Sequence, residues 1–379
     1  MVQDLFTLFC ALAVIYVSAS VGGGLLTNHN TVAISESTGK IVKLHSQNAS
    51  TDLNEIIEAL LDTTSSRPFS TRNSLDAFDP LKTFSTSETK DTSTTPAYHS
   101  IESEEESALR SGTVVNILCR PSPTLPLQNT SGSGVIIGEN GLVLSVAHVA
   151  HFYLWKDVGF ENSGSCVIRT GSPAVDTYTA ELVYLPHKWL TTNADIALTK
   201  GATGNGQYDF ALLVITGRVD GNPLPKNFPY SPLSYTKPTK GLSATMSAYG
   251  AEFLSSSQIL DSLSRTEVKG SIEEVFSFSG FSVDVVSVNG GVVAQQGSSG
   301  GGVFNSDGKL IALITSRSGE DNAVLRSLQA ITVHHIEDTI QRETTESLDF
   351  YLTSSQQTLV HSFETEKKAY VSVLENILK

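Results

Sequence analysis

From Ser107 to Thr332 the chain is a succession of short apolar runs broken by turn residues, and this texture limits the folds open to it. "TVVNIL", "GVIIG", "LVLSVAHV", "SCVIRT", "AELVYL", "DFALLVIT", "SATMSAYG", "FSVDVVSV", "GVFN" and "LIALIT" have the length of strands, with Gly, Asn, Asp or Pro between them. Such runs predict an all-β sandwich or barrel. No βαβ alternation and no internal repeat is evident, so a parallel sheet is not expected. The 379 residues are 40% hydrophobic and 17% charged, enough apolar material for one sizeable domain with accessory segments.

The flanks differ in kind. Leu5 to Leu26 carries no charge, although Asp4 precedes it and no Lys or Arg does. Its most apolar part, Leu5 to Val17, has the length of a signal-peptide core, and Val17-Ser18-Ala19 followed by Ser20 offers a cleavage site. Counted on through the small residues, the run reaches the ~20 residues of a membrane helix. Residues 1–27 therefore read as a signal peptide or a membrane anchor, and either would export the remainder of the chain. Residues 28–107 are rich in Ser and Thr and read as a disordered tether. Near 52–61, Leu53, Ile56, Ile57, Leu60 and Leu61 fall at helical spacing, with Asp52 and Glu55 in capping-box positions. Past the main domain, 108–335, the pattern turns helical again. Leu348, Leu352, Leu359, Phe363, Tyr370, Leu374 and Ile377 predict a tail, 336–379, that packs on the barrel or on a copy of itself, which would make an oligomer.

The formal charge of −14, with no Lys/Arg cluster, argues against a nucleic-acid partner. Cys10 lies in the N-terminal apolar run, while Cys119 and Cys166 lie in the main domain. A disulfide between those two and a pair of buried free thiols both fit.

One stretch carries chemistry. In "QQGSSGGGVFNSDGKLI", Ser299 has glycine two residues before it and at both positions after it. A serine that attacks a carbonyl needs backbone N–H groups aimed at the developing oxyanion, and glycine tolerates the angles this requires. The donors would be the N–H groups of Gly297 and Ser299; a plain Gly/Ser surface turn is the competing reading. Serine also needs a base. His148 ends the strand-turn-strand "GSGVIIGENGLVLSVAHV" and is preferred to His151, three residues on. The carboxylate that orients the imidazole should open a buried strand. Asp209 opens the run Phe210 to Ile215, whereas Asp195 is followed by only three apolar residues, so Asp209 is preferred. His, Asp, Ser is one of the chain orders in which such a triad occurs. "VHH", Val333 to His335, lacks a matched carboxylate or a further His at ligand spacing, so neither a metal nor another cofactor is expected. Those histidines read as capping the last strand or lying on its surface.

With these residues in place, the stretch from about Thr113 to Thr332 resembles a trypsin-like (chymotrypsin-fold) serine peptidase, in particular the single-chain bacterial HtrA/Deg kind. "GSGVIIGENGLVLSVAHV", "YDFALLVI" and "GSSGGGVFNSDGKLIALITS" resemble its histidine, aspartate and nucleophile segments. The resemblance implies a double six-stranded β-barrel with the triad in the crevice between barrels, acting on protein or peptide substrates. By the same pattern Val293 would lie at the base of the primary pocket and Ile314, Thr315 and Ser316 would form its wall. No acid stands at the base and no His in the wall, so small or medium apolar residues are expected before the cut. Ser298 stands where the family usually carries Asp or Asn, Gly302 where many members have Pro or Ala, and no PDZ-like segment is seen after the catalytic domain. The expected reaction is acyl transfer to water, rising with deprotonation of His148. The alternatives are a silent pseudopeptidase serving as an anchored scaffold and a purely adhesive β-domain.

Overall fold

A computed structural model describes residues 112–121, 129–158, 164–193, 206–317 and 326–377, together with the strands 32–34 and 41–43. The uncharged run Leu5 to Leu26, the helix expected near 52–61 and Asp195 lie outside the described residues. Among the described residues, no helix is long and apolar enough to cross a membrane. Within the stretch read as tether, β1 (Val32–Ile34) and β2 (Ile41–Lys43) pair antiparallel. Their β-branched residues suit a pleated ladder better than a disordered one.

The main domain consists of two closed barrels of six antiparallel strands each. The first uses β3 (Val114–Pro121), β4 (Thr130–Ile136), β5 (Leu142–Ser145), β6 (Gly164–Thr170), β7 (Val175–Tyr184) and β8 (Ala211–Arg218), in the order β3-β4-β5-β8-β7-β6. The second uses β9 (Ser243–Ala248), β10 (Thr266–Phe276), β11 (Val285–Asn289), β12 (Gly302–Phe304), β13 (Leu310–Arg317) and β14 (Ser327–Thr332), in the order β10-β11-β14-β13-β12-β9. Closure removes the unpaired edges that strands this short would otherwise expose.

Turn chemistry sets the registers. Gly138 to Gly141 turns β4 into β5: Gly141 has φ +80°, and the Ile137 N–H donates to the Leu142 carbonyl at 2.8 Å. Asn305 to Lys309 does the same between β12 and β13, with Gly308 at φ +72°. Such angles suit glycine, which has no Cβ. Each barrel has its own interior: Val115, Ile117, Leu144, Ile168 and Leu212 in the first, and Met246, Val288, Val303, Ile314 and Leu328 in the second.

Among the described residues, six α-helices decorate the barrels: α1 (Ala147–Ala150), α2 (His187–Asn193), α3 (Ser256–Asp261), α4 (Val333–Thr344), α5 (Leu348–Thr353) and α6 (Gln356–Ile377). The helical tail starts at Val333, where the Thr332 hydroxyl accepts the His335 N–H and so caps α4 directly at the end of β14. Its apolar residues are used within the chain. Leu348, Leu359, Phe363, Tyr370 and Leu374 are buried in the first barrel's cluster, and the Tyr370 hydroxyl donates to the Leu185 carbonyl at 3.0 Å. The barrels are also tied through Arg169 of β6, which is buried and donates to the Ile259 and Leu260 carbonyls at the end of α3.

The cysteine alternatives resolve in the fold. Cys119 of β3 and Cys166 of β6 are register partners and form a disulfide.

Candidate active site

His148 sits in the one-turn helix α1 just after β5, with its side chain 13% exposed. Asp209 lies in the turn that leads into β8 and is 1% exposed. Its Oδ1 accepts the His148 N–H at 3.0 Å, and its Oδ2 lies 2.8 Å from His148 Nδ1. A carboxylate only accepts hydrogen bonds, so this contact places the imidazole hydrogen on Nδ1 and leaves the Nε2 lone pair free to take a proton. His151, the competing histidine, is buried; its Nδ1 is 3.3 Å from the Ala147 carbonyl and its ring packs on Phe152 and Trp189.

Ser299 belongs to the second barrel's loop between β11 and β12, and that loop is clamped onto the first barrel by Ser133. The Ser133 N–H of β4 donates to the Ser299 carbonyl at 2.8 Å, and the Ser133 hydroxyl donates to the Gly297 carbonyl at 2.8 Å. The Ser145 hydroxyl, three residues before His148, donates in turn to the Ser133 carbonyl at 2.7 Å. The nucleophile loop thus rests against the end of the strand that delivers the histidine. The Ser299 hydroxyl is half-buried and donates to the Thr315 carbonyl at 3.2 Å.

The backbone before Ser299 is held with equal care. The Ala251 N–H donates to the Gln296 carbonyl at 2.7 Å. A trans peptide is planar, so the Gly297 N–H must point the opposite way. Gly297 has φ +93°, and a Cβ there would lie 2.7 Å from the Tyr249 carbonyl oxygen. Among the described residues, neither the Gly297 N–H nor the Ser299 N–H has an acceptor. Glu252 braces the same segment: it accepts the Gln296 N–H at 3.3 Å and pairs at 2.9 Å with Arg326, which also reaches the Ala294 carbonyl at 3.2 Å. Ser298, noted above as standing where the family usually carries Asp or Asn, is buried and donates its hydroxyl to the Val293 carbonyl.

The expected pocket residues are near this loop but are not all open to it. Val293 and Ile314 are buried in the second barrel's apolar cluster, Thr315 donates its hydroxyl to the Gln329 carbonyl at 3.1 Å, and Ser316 is half-buried. Ser133, Ser145, Glu252 and Arg326 were not anticipated. No local pattern announces them, since each acts through contacts remote in sequence.

Residues 132–313 match the family model of the trypsin-like peptidase domain. The chain carries a trypsin-like peptidase domain. It is thereby a serine peptidase, a hydrolase of peptide bonds. Two solved structures similar to this peptidase chain are both of Rv3671c from Mycobacterium tuberculosis. The active form of the Rv3671c protease is 15% identical, with 68% of this chain and 95% of that chain covered and a TM-score of 0.41. A serine-to-alanine mutant of Rv3671c from strain H37Rv, in an inactive form, is 15% identical, with 64% and 92% covered and a TM-score of 0.39. No curated protein sequence matches the chain.

Proposed function

We propose that the protein is a serine endopeptidase in which Ser299 is the nucleophile, His148 the general base and acid, and Asp209 the orienting carboxylate. The observation that carries this reading is the bond between His148 Nδ1 and Asp209 Oδ2 at 2.8 Å, made beside a nucleophile loop whose N–H groups at Gly297 and Ser299 have no acceptor among the described residues. The Ser299 hydroxyl turns about its Cα–Cβ bond from the Thr315 carbonyl toward His148 Nε2 and attacks the substrate carbonyl as Nε2 takes its proton. The N–H groups of Gly297 and Ser299 hold the resulting oxyanion. His148 then protonates the leaving amine, an acyl-enzyme remains, and water repeats the sequence in reverse roles.

Substrates are proteins or peptides with small or medium apolar residues before the cut. No charge stands among Ile314, Thr315 and Ser316, the strand whose carbonyls accept the Gly300 N–H and the Ser299 hydroxyl. Strong cleavage after Arg in a peptide library would overturn this preference. An exported or membrane-anchored location is part of the same reading, supported by the uncharged run from Leu5 to Leu26 and by a disulfide, which forms in oxidising compartments.

The test is reaction of the full-length protein with a fluorophosphonate probe, beside Ser299→Ala and His148→Ala. Labelling of the parent alone supports the assignment. A folded parent that does not label, or label that survives Ser299→Ala, overturns it.

A further inference from the structure

A second buried Asp–His pair stands apart from the first. The histidines of "VHH", expected to cap the last strand or lie on its surface, lie on α4, because the helix begins directly at Val333. His334 is partly exposed, but His335 is 3% exposed and Asp284 is 4% exposed. His335 Nδ1 lies 3.2 Å from Asp284 Oδ1, and Nε2 lies 2.8 Å from the backbone carbonyl of Gln207. Both partners are acceptors, so both bonds are made only when each ring nitrogen carries a hydrogen.

Asp284 is itself firmly held. It accepts the Phe278 N–H at 2.7 Å and the hydroxyls of Ser277 at 3.1 Å and Ser282 at 2.7 Å. Its backbone carbonyl accepts the Thr332 N–H at 2.9 Å. Burial raises the Asp284 carboxyl, but the Ser282 hydroxyl, the Phe278 N–H, His335 and the Ser277 hydroxyl outweigh it and keep it below the ordinary aspartate range. His335 is thus fixed at one end to the β10–β11 connection of the second barrel.

Its other end reaches the active site. Gln207 is two residues before Asp209, in a turn closed by the Asp209 N–H to the Gly206 carbonyl at 3.2 Å and the Phe210 N–H to the Tyr208 carbonyl at 2.9 Å. Gly206, at φ +78°, lets the chain enter that turn.

We infer that His335 is a positioning residue for Asp209, which it holds in place by donating its Nε2 hydrogen to the Gln207 carbonyl from a second barrel anchored at Asp284. The inference rests on the reading of Asp209 as the carboxylate that orients His148. It goes further in assigning a role in that alignment to a residue on α4, beyond the last barrel strand. A displacement of about 1 Å in such a group is enough to cost about 100-fold in rate.

The test is a double-mutant cycle on the full-length enzyme, with His335→Ala and His335→Gln each made in the parent and in Asp209→Asn. Asp284→Asn is made in the parent. Rates are measured on a peptide substrate and on the fluorophosphonate, at a temperature where thermal melts show every variant folded. His335→Ala should lower kcat about 10- to 100-fold with KM nearly unchanged. His335→Gln, which keeps an N–H donor, should recover most of the loss, and Asp284→Asn should lie between. In the Asp209→Asn background the same His335→Ala change should have almost no further effect, because no carboxylate remains to be placed. A loss of equal factor in both backgrounds, or a folded His335→Ala enzyme with parental kcat, overturns the inference. If His335→Ala does not fold, His335→Gln and Asp284→Asn decide it by the same criteria. An Asp209→Asn enzyme with parental activity would instead overturn the underlying reading of Asp209.

Discussion

The hydroxyl of Ser133, on a strand of the first barrel, donates to the backbone carbonyl of Gly297 in the second at 2.8 Å. The same oxygen accepts the Tyr249 N–H at 2.9 Å, so one buried side chain joins the strand, the nucleophile loop and the end of β9. Ser133→Ala leaves the buried Tyr249 N–H and the part-buried Gly297 carbonyl without this partner, a loss of about 1–3 kcal/mol in stability. Because the freed carbonyl adjoins the oxyanion donors, the labelling rate of Ser299 should fall at least about tenfold in protein shown by melting to be folded. A variant that melts lower but labels at the parental rate would show that Ser133 only stabilises.

Gly300 is the tightest position in the loop. A Cβ there would lie 1.9 Å from the Ser133 carbonyl oxygen and 2.7 Å from the Ser145 hydroxyl, at a φ of +89°. Backbone strain and overpacking add, so Gly300→Ala should lose about 3 kcal/mol or more and separate the loop from the first barrel. Thermal melting and fluorophosphonate labelling should both fail in this variant, whereas Gly221→Ala, where nothing lies within 4 Å, should remain active.

Asp209→Asn keeps the shape of the site and changes its hydrogen bonding. An amide can donate toward His148 Nδ1 and so favour the tautomer whose Nε2 cannot take the Ser299 proton. On the triad reading, kcat falls about 10⁴-fold while KM changes little. Steady-state kinetics on a peptide substrate checks this, and a loss under tenfold would contradict the role given to Asp209.

The disulfide between Cys119 and Cys166 closes a loop with a sequence separation of 47. Cross-links of this span stabilise by about 2–4 kcal/mol, largely by restricting the unfolded chain. Reductant should therefore lower Tm by roughly 5–15 °C in a domain of this size. Thiol counting on the denatured, unreduced full-length chain should find one reactive thiol among its three cysteines, that of Cys10.

Much of the architecture was legible in the residues alone. Apolar runs of strand length, the Glu139-Asn140-Gly141 turn and the three-, four- and seven-residue spacing of Leu348 to Ile377 are local signals, and they marked the strands, a hairpin and the helical tail. The glycines around Ser299 and the small residues before His148 marked a candidate site for the same reason: backbone angles and close approach restrict the residue type at the position itself. Only the tertiary structure decided which groups meet. Cys119 faces Cys166 because β3 and β6 share a register, Ser133 holds Gly297 across 164 residues, and His335 reaches Gln207 across 128. The first two contacts depend on how the strands close and pack, and the third on a helix that starts at Val333. Propensity and periodicity extend over only a few residues, so a hydrogen bond between strands of two barrels leaves no trace in them.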